Sequence, residues 1–298
     1  MKFNNLLYSV VLVIFVFIFG CKSGTNQTDD DVNVQDESLL DKEHVKKVKM
    51  IFYNIPSPME MANLLQNAGA DYNPDILNDY RSYYKYTTNA KLALNLGIYG
   101  ADLSYTRMFD QIQSSVNYLT SIRKMSDGLG IPEEEGSFTI NKIEENIENK
   151  DSILSIISVT YSNADSYLKE NGRGSTAAMI LLGGWLEALY IATNIIDEKN
   201  QNPDIINRIA EQKFSLSNLI ELIVSYESDQ DIQKYVPQLK QLQAKFEQIE
   251  ITYTKGEIIT DEEKMITIID SQMTIDVSFD VIIDIGNIVE EIRSEIIE

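Results

Sequence analysis

The chain is 298 residues long with a formal net charge of −21 and 44% hydrophobic residues, enough for one large domain or two small ones. That acidity argues against nucleic-acid recognition, which needs a basic surface, and against flat adhesion to anionic lipid headgroups. With one cysteine and one histidine, no intrachain disulfide, cysteine–histidine cluster or catalytic histidine pair can form, so stability must come from packing.

The chain opens with a head carrying Lys2, an apolar run Leu6–Gly20 (LLYSVVLVIFVFIFG) and then Cys21. A basic start, an apolar core and a small residue at the cut are the parts of a secretory signal. Its fifteen apolar-run residues reach only about 22 Å as a helix, short of the ~30 Å hydrocarbon core. The junction Ile18-Phe19-Gly20-Cys21 resembles the lipobox of bacterial lipoproteins, with Phe19 bulkier than the usual small residue. The resemblance implies cleavage after residue 20 and lipid attachment at Cys21, hence contact with a membrane through acyl chains (palmitate among them). An uncleaved anchor is the competing reading.

Residues 22–49 are polar, with Asp29-Asp30-Asp31 and His44 among them. Such a stretch buries too little apolar surface to offset its ordering entropy and reads as a flexible tether. From residue 50 to 298 the pattern predicts a single helical domain. Ile55-Pro56-Ser57-Pro58 is a helix start, with Met61, Leu64, Leu65 and Ala68 at helical spacing and Gly69 at the end. Asn73-Pro74 is a second start, leading into DILNDYRSYYKY, and Thr87/Thr88 opens a third helix. A long helix is expected from about Ala101 to Leu129, stopped by Gly130-Ile131-Pro132. The apolar spacing resumes at Ile140, Ile143 and Ile147, and continues through Ile153, Leu154, Ile157, Tyr161 and Leu168. Further helices are predicted at about Ser175–Asp197, Pro203–Tyr226, Asp229–Ile251 and Ser278–Ile297. Glu257–Ile269 and Gln272–Val277 alternate in the manner of a short hairpin. The fold class is therefore all-α: a multi-helix antiparallel bundle or short helical-hairpin (solenoid-like) array, with a small β-hairpin near the C-terminus.

Leu96-Gly97-Ile98-Tyr99 and Leu182-Gly183-Gly184-Trp185 share the pattern Leu-Gly-x-aromatic. Glycine lets a neighbouring helix approach and the aromatic fills the space beside it. Tetratricopeptide spacing would need small residues where Phe109 and Ile195 stand, so the echo stops short of a repeat. The segments IPSPMEMANLLQNAGADYNPDILN and TTNAKLALNLGIYGADLSYTRMFDQ resemble a group of helical lipoproteins from Gram-negative bacteria. That resemblance supports the lipoprotein reading, for which the outer membrane is the expected address, and supplies no catalytic or binding residue.

Chemistry is sparse. GRGST lacks the ending of a phosphate-binding P-loop. Asp71, Asn73, Asp75 and Asp79 imitate the start of a calcium loop, but Ile76 stands at its glycine position and Ser82 at its closing glutamate. Neither metal nor cofactor is expected. The pairs Glu144/Glu148 and Glu290/Glu291 read as solvated helix faces. Asp102 and Glu187 stand out because each sits in an apolar helix, where a charge needs a partner. Arg107 and Arg173 are the candidates, and a structural ion pair is favoured over a catalytic one. The tyrosines Tyr80, Tyr83 and Tyr84, with Tyr72, Tyr86, Tyr99 and Tyr105 near in sequence, form the best binding candidate. Ordinary packing of Tyr80 and Tyr84 one helical turn apart competes with it, and Trp185 reads as core. The two surviving functions are a non-enzymatic interaction domain that binds an envelope protein, and a carboxylate-dependent envelope enzyme or small-ligand receptor.

Overall fold

The computed structural model describes residues 71–132, 146, 149–199, 201–254, 256, 258–261, 266–269 and 272–298, all within the unit Asp41–Glu298. Cys21 and its leader, the tether with His44, the helix start at Pro58, residues 133–145 and 147, and Glu144/Glu148 lie outside the described residues.

Two short 3-10 turns, Pro74–Ile76 and Tyr80–Lys85, lead into the helices. Asn73 caps the first by accepting from the Asp75 N–H and Asp79 caps the second by accepting from the Arg81 N–H, so these two members of the calcium-like set serve as turn caps. The helices are α1 (Asn89–Met108), α2 (Ile112–Gly128), α3 (Lys150–Glu170), α4 (Gly174–Asn194), α5 (Pro203–Val224), α6 (Gln230–Gln233), α7 (Val236–Phe246) and α8 (Phe279–Ile297). Between α7 and α8 lie β1 (Glu250–Thr254), β2 (Ile258–Asp261), β3 (Ile266–Ile269) and β4 (Gln272–Asp276). The protein is an all-α bundle carrying this β ribbon.

The helix breaks differ from the sequence pattern in three places. The stretch after Asn73-Pro74 forms 3-10 turns separated by extended residues instead of an α-helix. The break expected near Gly100 falls instead at Asp110, which takes a left-handed conformation (φ 55°) while the Gln111 N–H bonds the Thr106 carbonyl. The predicted helix Asp229–Ile251 is two helices that stop at Phe246; Pro237 has no N–H to donate and fits only a first turn, so α7 begins beside it. Residues 250 and 251 then belong to β1. The ribbon is antiparallel throughout: β1 pairs β4 from Glu250↔Asp276 to Thr254↔Gln272, and β2 pairs β3 from Ile258↔Ile269 to Asp261↔Ile266. Between the two ladders the register steps by one residue.

The most extensive contact is α1 against α4. A Cβ on Gly97 would overlap the Ile180 carbonyl oxygen, and one on Gly183 would overlap the Leu94 carbonyl oxygen. The two Leu-Gly-x-aromatic motifs thus meet each other, backbone against backbone. Helix α8 antiparallels both, since Ile296 lies by Asn95, Arg293 by Glu187 and Gly286 by Thr193. Helices α1 and α4 therefore run parallel. Around their crossing, Leu94, Ile98, Leu182, Leu186, Ile285, Val289 and Ile292 are buried. Gly174–Asn194 is long and apolar enough to cross a membrane, yet 78% of its apolar window is buried in the fold, as expected of a central core helix.

Candidate functional site

Residues 76–80 cross the helices as a strap, and their backbone groups find partners on side chains instead of in a ladder. The Ile76 carbonyl accepts from Arg293 Nη2 (3.3 Å), the Asn78 N–H donates to Asp102 Oδ2 (3.2 Å), and the Asn78 carbonyl accepts from the Tyr118 hydroxyl. The Asp79 carbonyl accepts from the Tyr99 hydroxyl (2.8 Å) and the Tyr80 carbonyl from Ser121 Oγ (2.8 Å). Asn78 Nδ2 donates to the Tyr86 hydroxyl (3.0 Å). Buried backbone polar groups need such partners, and α1, α2 and α8 each supply some of them.

At the centre of this clamp, Asp102 from α1 and Glu187 from α4 are wholly enclosed. Their cationic partner is Arg293 of α8. Its Nε donates to Glu187 Oε2 (2.6 Å) and its Nη2 to Glu187 Oε1 (2.8 Å), the two-pronged geometry that suits guanidinium to carboxylate. The guanidinium also stacks over the Tyr190 ring, 4.1 Å from its centre. The expected pairing with Arg107 or Arg173 is not formed. Arg173 Nη1 donates to the Leu129 carbonyl (2.7 Å). Arg107 lies five residues from Asp102 on the same helix, which turns the two side chains to different faces.

Burial, followed by the Glu187 charge beside it, raises the Asp102 carboxyl well above its usual range. Burial lifts Glu187 too, but Arg293 opposes that lift through charge and hydrogen bonds. Arg293 sits on Glu187 and not on Asp102, which favours Asp102 as the neutral member of the pair. Asp102 Oδ1 has no hydrogen-bond partner among the described residues, so a proton there meets no competing N–H donor. Acid, carboxylate and guanidinium then sum to zero charge in a site closed to water. Burial also raises the hydroxyls of Tyr86, Tyr99 and Tyr118, which keeps them protonated as donors or acceptors to the strap.

The tyrosine candidates divide. Tyr99 joins the clamp, its ring edge-on to Tyr118 (5.7 Å) and Tyr86 (6.2 Å). Tyr80, Tyr83 and Tyr84 form an outer rim on the 3-10 turn that Asp79 caps. Tyr80 packs edge-on to Tyr118, Tyr83 accepts a hydrogen bond from Lys124 Nζ (2.7 Å), and Tyr84 is 69% exposed. Arg81 and Lys85 flank them at the surface. Trp185 stays apart in the core, donating from Nε1 to Gln212 Oε1 (3.1 Å) and tying α4 to α5. Glu290 and Glu291 face solvent.

Sequence reasoning missed Arg293, Asn78 and Tyr118. A signal for Arg293 was present: it lies one turn after Val289 and beside Ile292 on the apolar stripe of α8, the same anomaly that singled out Asp102 and Glu187. Nothing local marked Asn78, whose role depends on where the strap crosses the helices. Comparison with protein-family models, curated proteins and solved structures gives no match.

Proposed function

We propose that this chain is a membrane-tethered, non-enzymatic interaction protein of a bacterial envelope, most consistent with the outer membrane. Cys21 carries the lipid, residues 22–49 space the body from the bilayer, and the tyrosine rim receives an envelope protein. The observation that carries this reading is the division of polar groups. The acids with the strongest perturbation, Asp102 and Glu187, are sealed inside and committed to the chain's own strap and to Arg293. The exposed aromatic Tyr84 stands with Tyr83, Arg81 and Lys124 at the surface. Tyrosine with cationic neighbours supplies flat contact area and hydrogen bonds at low entropic cost.

The test is in-cell crosslinking and capture of the C-terminally tagged, lipidated chain, with Tyr83→Ala/Tyr84→Ala as the comparison. A stoichiometric envelope protein held by the wild type and lost by the double variant, with helical content unchanged, supports the rim. Equal recovery with both chains removes the rim from the account. Labelling with a fatty-acid analogue, present in wild type and absent in Cys21→Ser, tests the anchor separately.

A further inference from the structure

Two arginines are buried among the described residues, and only one of them meets a carboxylate there. Arg293 is met by the Glu187 carboxylate, the Tyr190 ring and a carbonyl. Arg107, in the last turn of α1, is 2% exposed, yet among the described residues its Nε and Nη1 have no hydrogen-bond partner. It shares a helical face with Leu96, Gly100 and Leu103, away from the Asp102 side of α1. The acid that acts on it through space is Asp110, which is itself exposed to water. The negative end of the α1 dipole helps a cation here, but only by a fraction of an elementary charge. A guanidinium cannot shed its proton to escape the cost of burial, as a lysine can. An enclosed, permanently charged fork with free N–H groups is therefore complete only when an oxyanion reaches it.

We infer that Arg107 is the receptor for an oxyanion, a carboxylate or phosphate group, docked against the C-terminal turn of α1. The anion accepts parallel N–H bonds from the guanidinium. It comes either from a small solute or from an acidic side chain of a bound protein. This site is separate from the tyrosine rim and stands or falls independently of the rim's partner.

The test uses the full chain in neutral detergent, followed by thermal unfolding in anion-depleted buffer and then with inorganic phosphate or acetate at matched ionic strength. Acetate stands in for a side-chain carboxylate, and sodium chloride is the control. The wild type is expected to gain about 3–6 °C at ten times the dissociation constant of the preferred anion. A preference for phosphate indicates a small phosphorylated ligand, and a preference for acetate a protein carboxylate. Arg107→Met should unfold at or above the wild-type temperature without anion, because an apolar side chain replaces an unmatched charge, and should lose the anion response. Arg107→Lys keeps the charge without the planar fork and should retain only part of the shift. Two outcomes overturn the inference. One is an Arg107→Met variant that unfolds well below the wild type or fails to fold, which means the chain itself matches the charge. The other is a wild type that responds to phosphate and acetate no more than to chloride, which means that water suffices.

Discussion

The α1–α4 crossing and the tyrosine rim lie next to each other along the chain but use polar residues in opposite ways. At the crossing the Glu187 carboxylate and the Arg293 guanidinium are enclosed and answer each other, so removing one leaves the other stranded in low dielectric. At the rim the hydroxyls and cations are in contact with water and lose little when changed. The contrast teaches that perturbed acids in this protein mark the place where the fold is locked, while the surface available to a partner lies a few residues away.

The largest effect expected is at the crossing itself. Gly183→Leu drives a side chain into the Leu94 carbonyl and should abolish folding, a loss of more than about 4 kcal/mol by denaturant unfolding. Next is Arg293→Met, which strands the Glu187 charge and should cost about 3–5 kcal/mol. Adding Glu187→Gln in the same chain should restore part of that loss, and a double-mutant cycle reads the coupling. Tyr118→Phe leaves the buried Asn78 carbonyl without its donor and should cost about 1–3 kcal/mol. The smallest effect is at the rim: Tyr84→Ala should change stability by no more than about 0.5 kcal/mol while reducing capture of the partner. A rim substitution as costly as Tyr118→Phe would erase the contrast.

Much of the helix pattern was legible because apolar residues recur at helical spacing along α1, α4, α5 and α8, with Asn73, Thr88 and Pro203 marking starts. Gly97 and Gly183 announced a close approach, but not that each was the other's neighbour; that depends on contacts far apart in sequence. Asp102 and Glu187 were visible as charges in apolar helices. Their partner, more than a hundred residues beyond Glu187, was not, because proximity in sequence favoured Arg107 and Arg173. The break placed before Ala101 is absent because α1 runs on to Met108, and within it α4 leaves no room for a Cβ at Gly97.

The central claim is that Asp102 is a neutral acid in the folded protein. Its folded pKa lies above its unfolded value, so its contribution is fully present below the unfolded value of about 3.9 and is lost as pH rises from there through the folded pKa. Asparagine mimics the protonated form, with an oxygen for the Asn78 N–H and an uncharged amide nitrogen in place of the protonated oxygen. The decisive measurement is the unfolding free energy of wild type and Asp102→Asn from pH 4 to pH 8. The account predicts near-equal stability at pH 4 and a variant increasingly more stable than wild type as pH rises. A variant less stable by a constant amount across the whole range would mean that Asp102 is ionised in the folded protein, and would contradict the account.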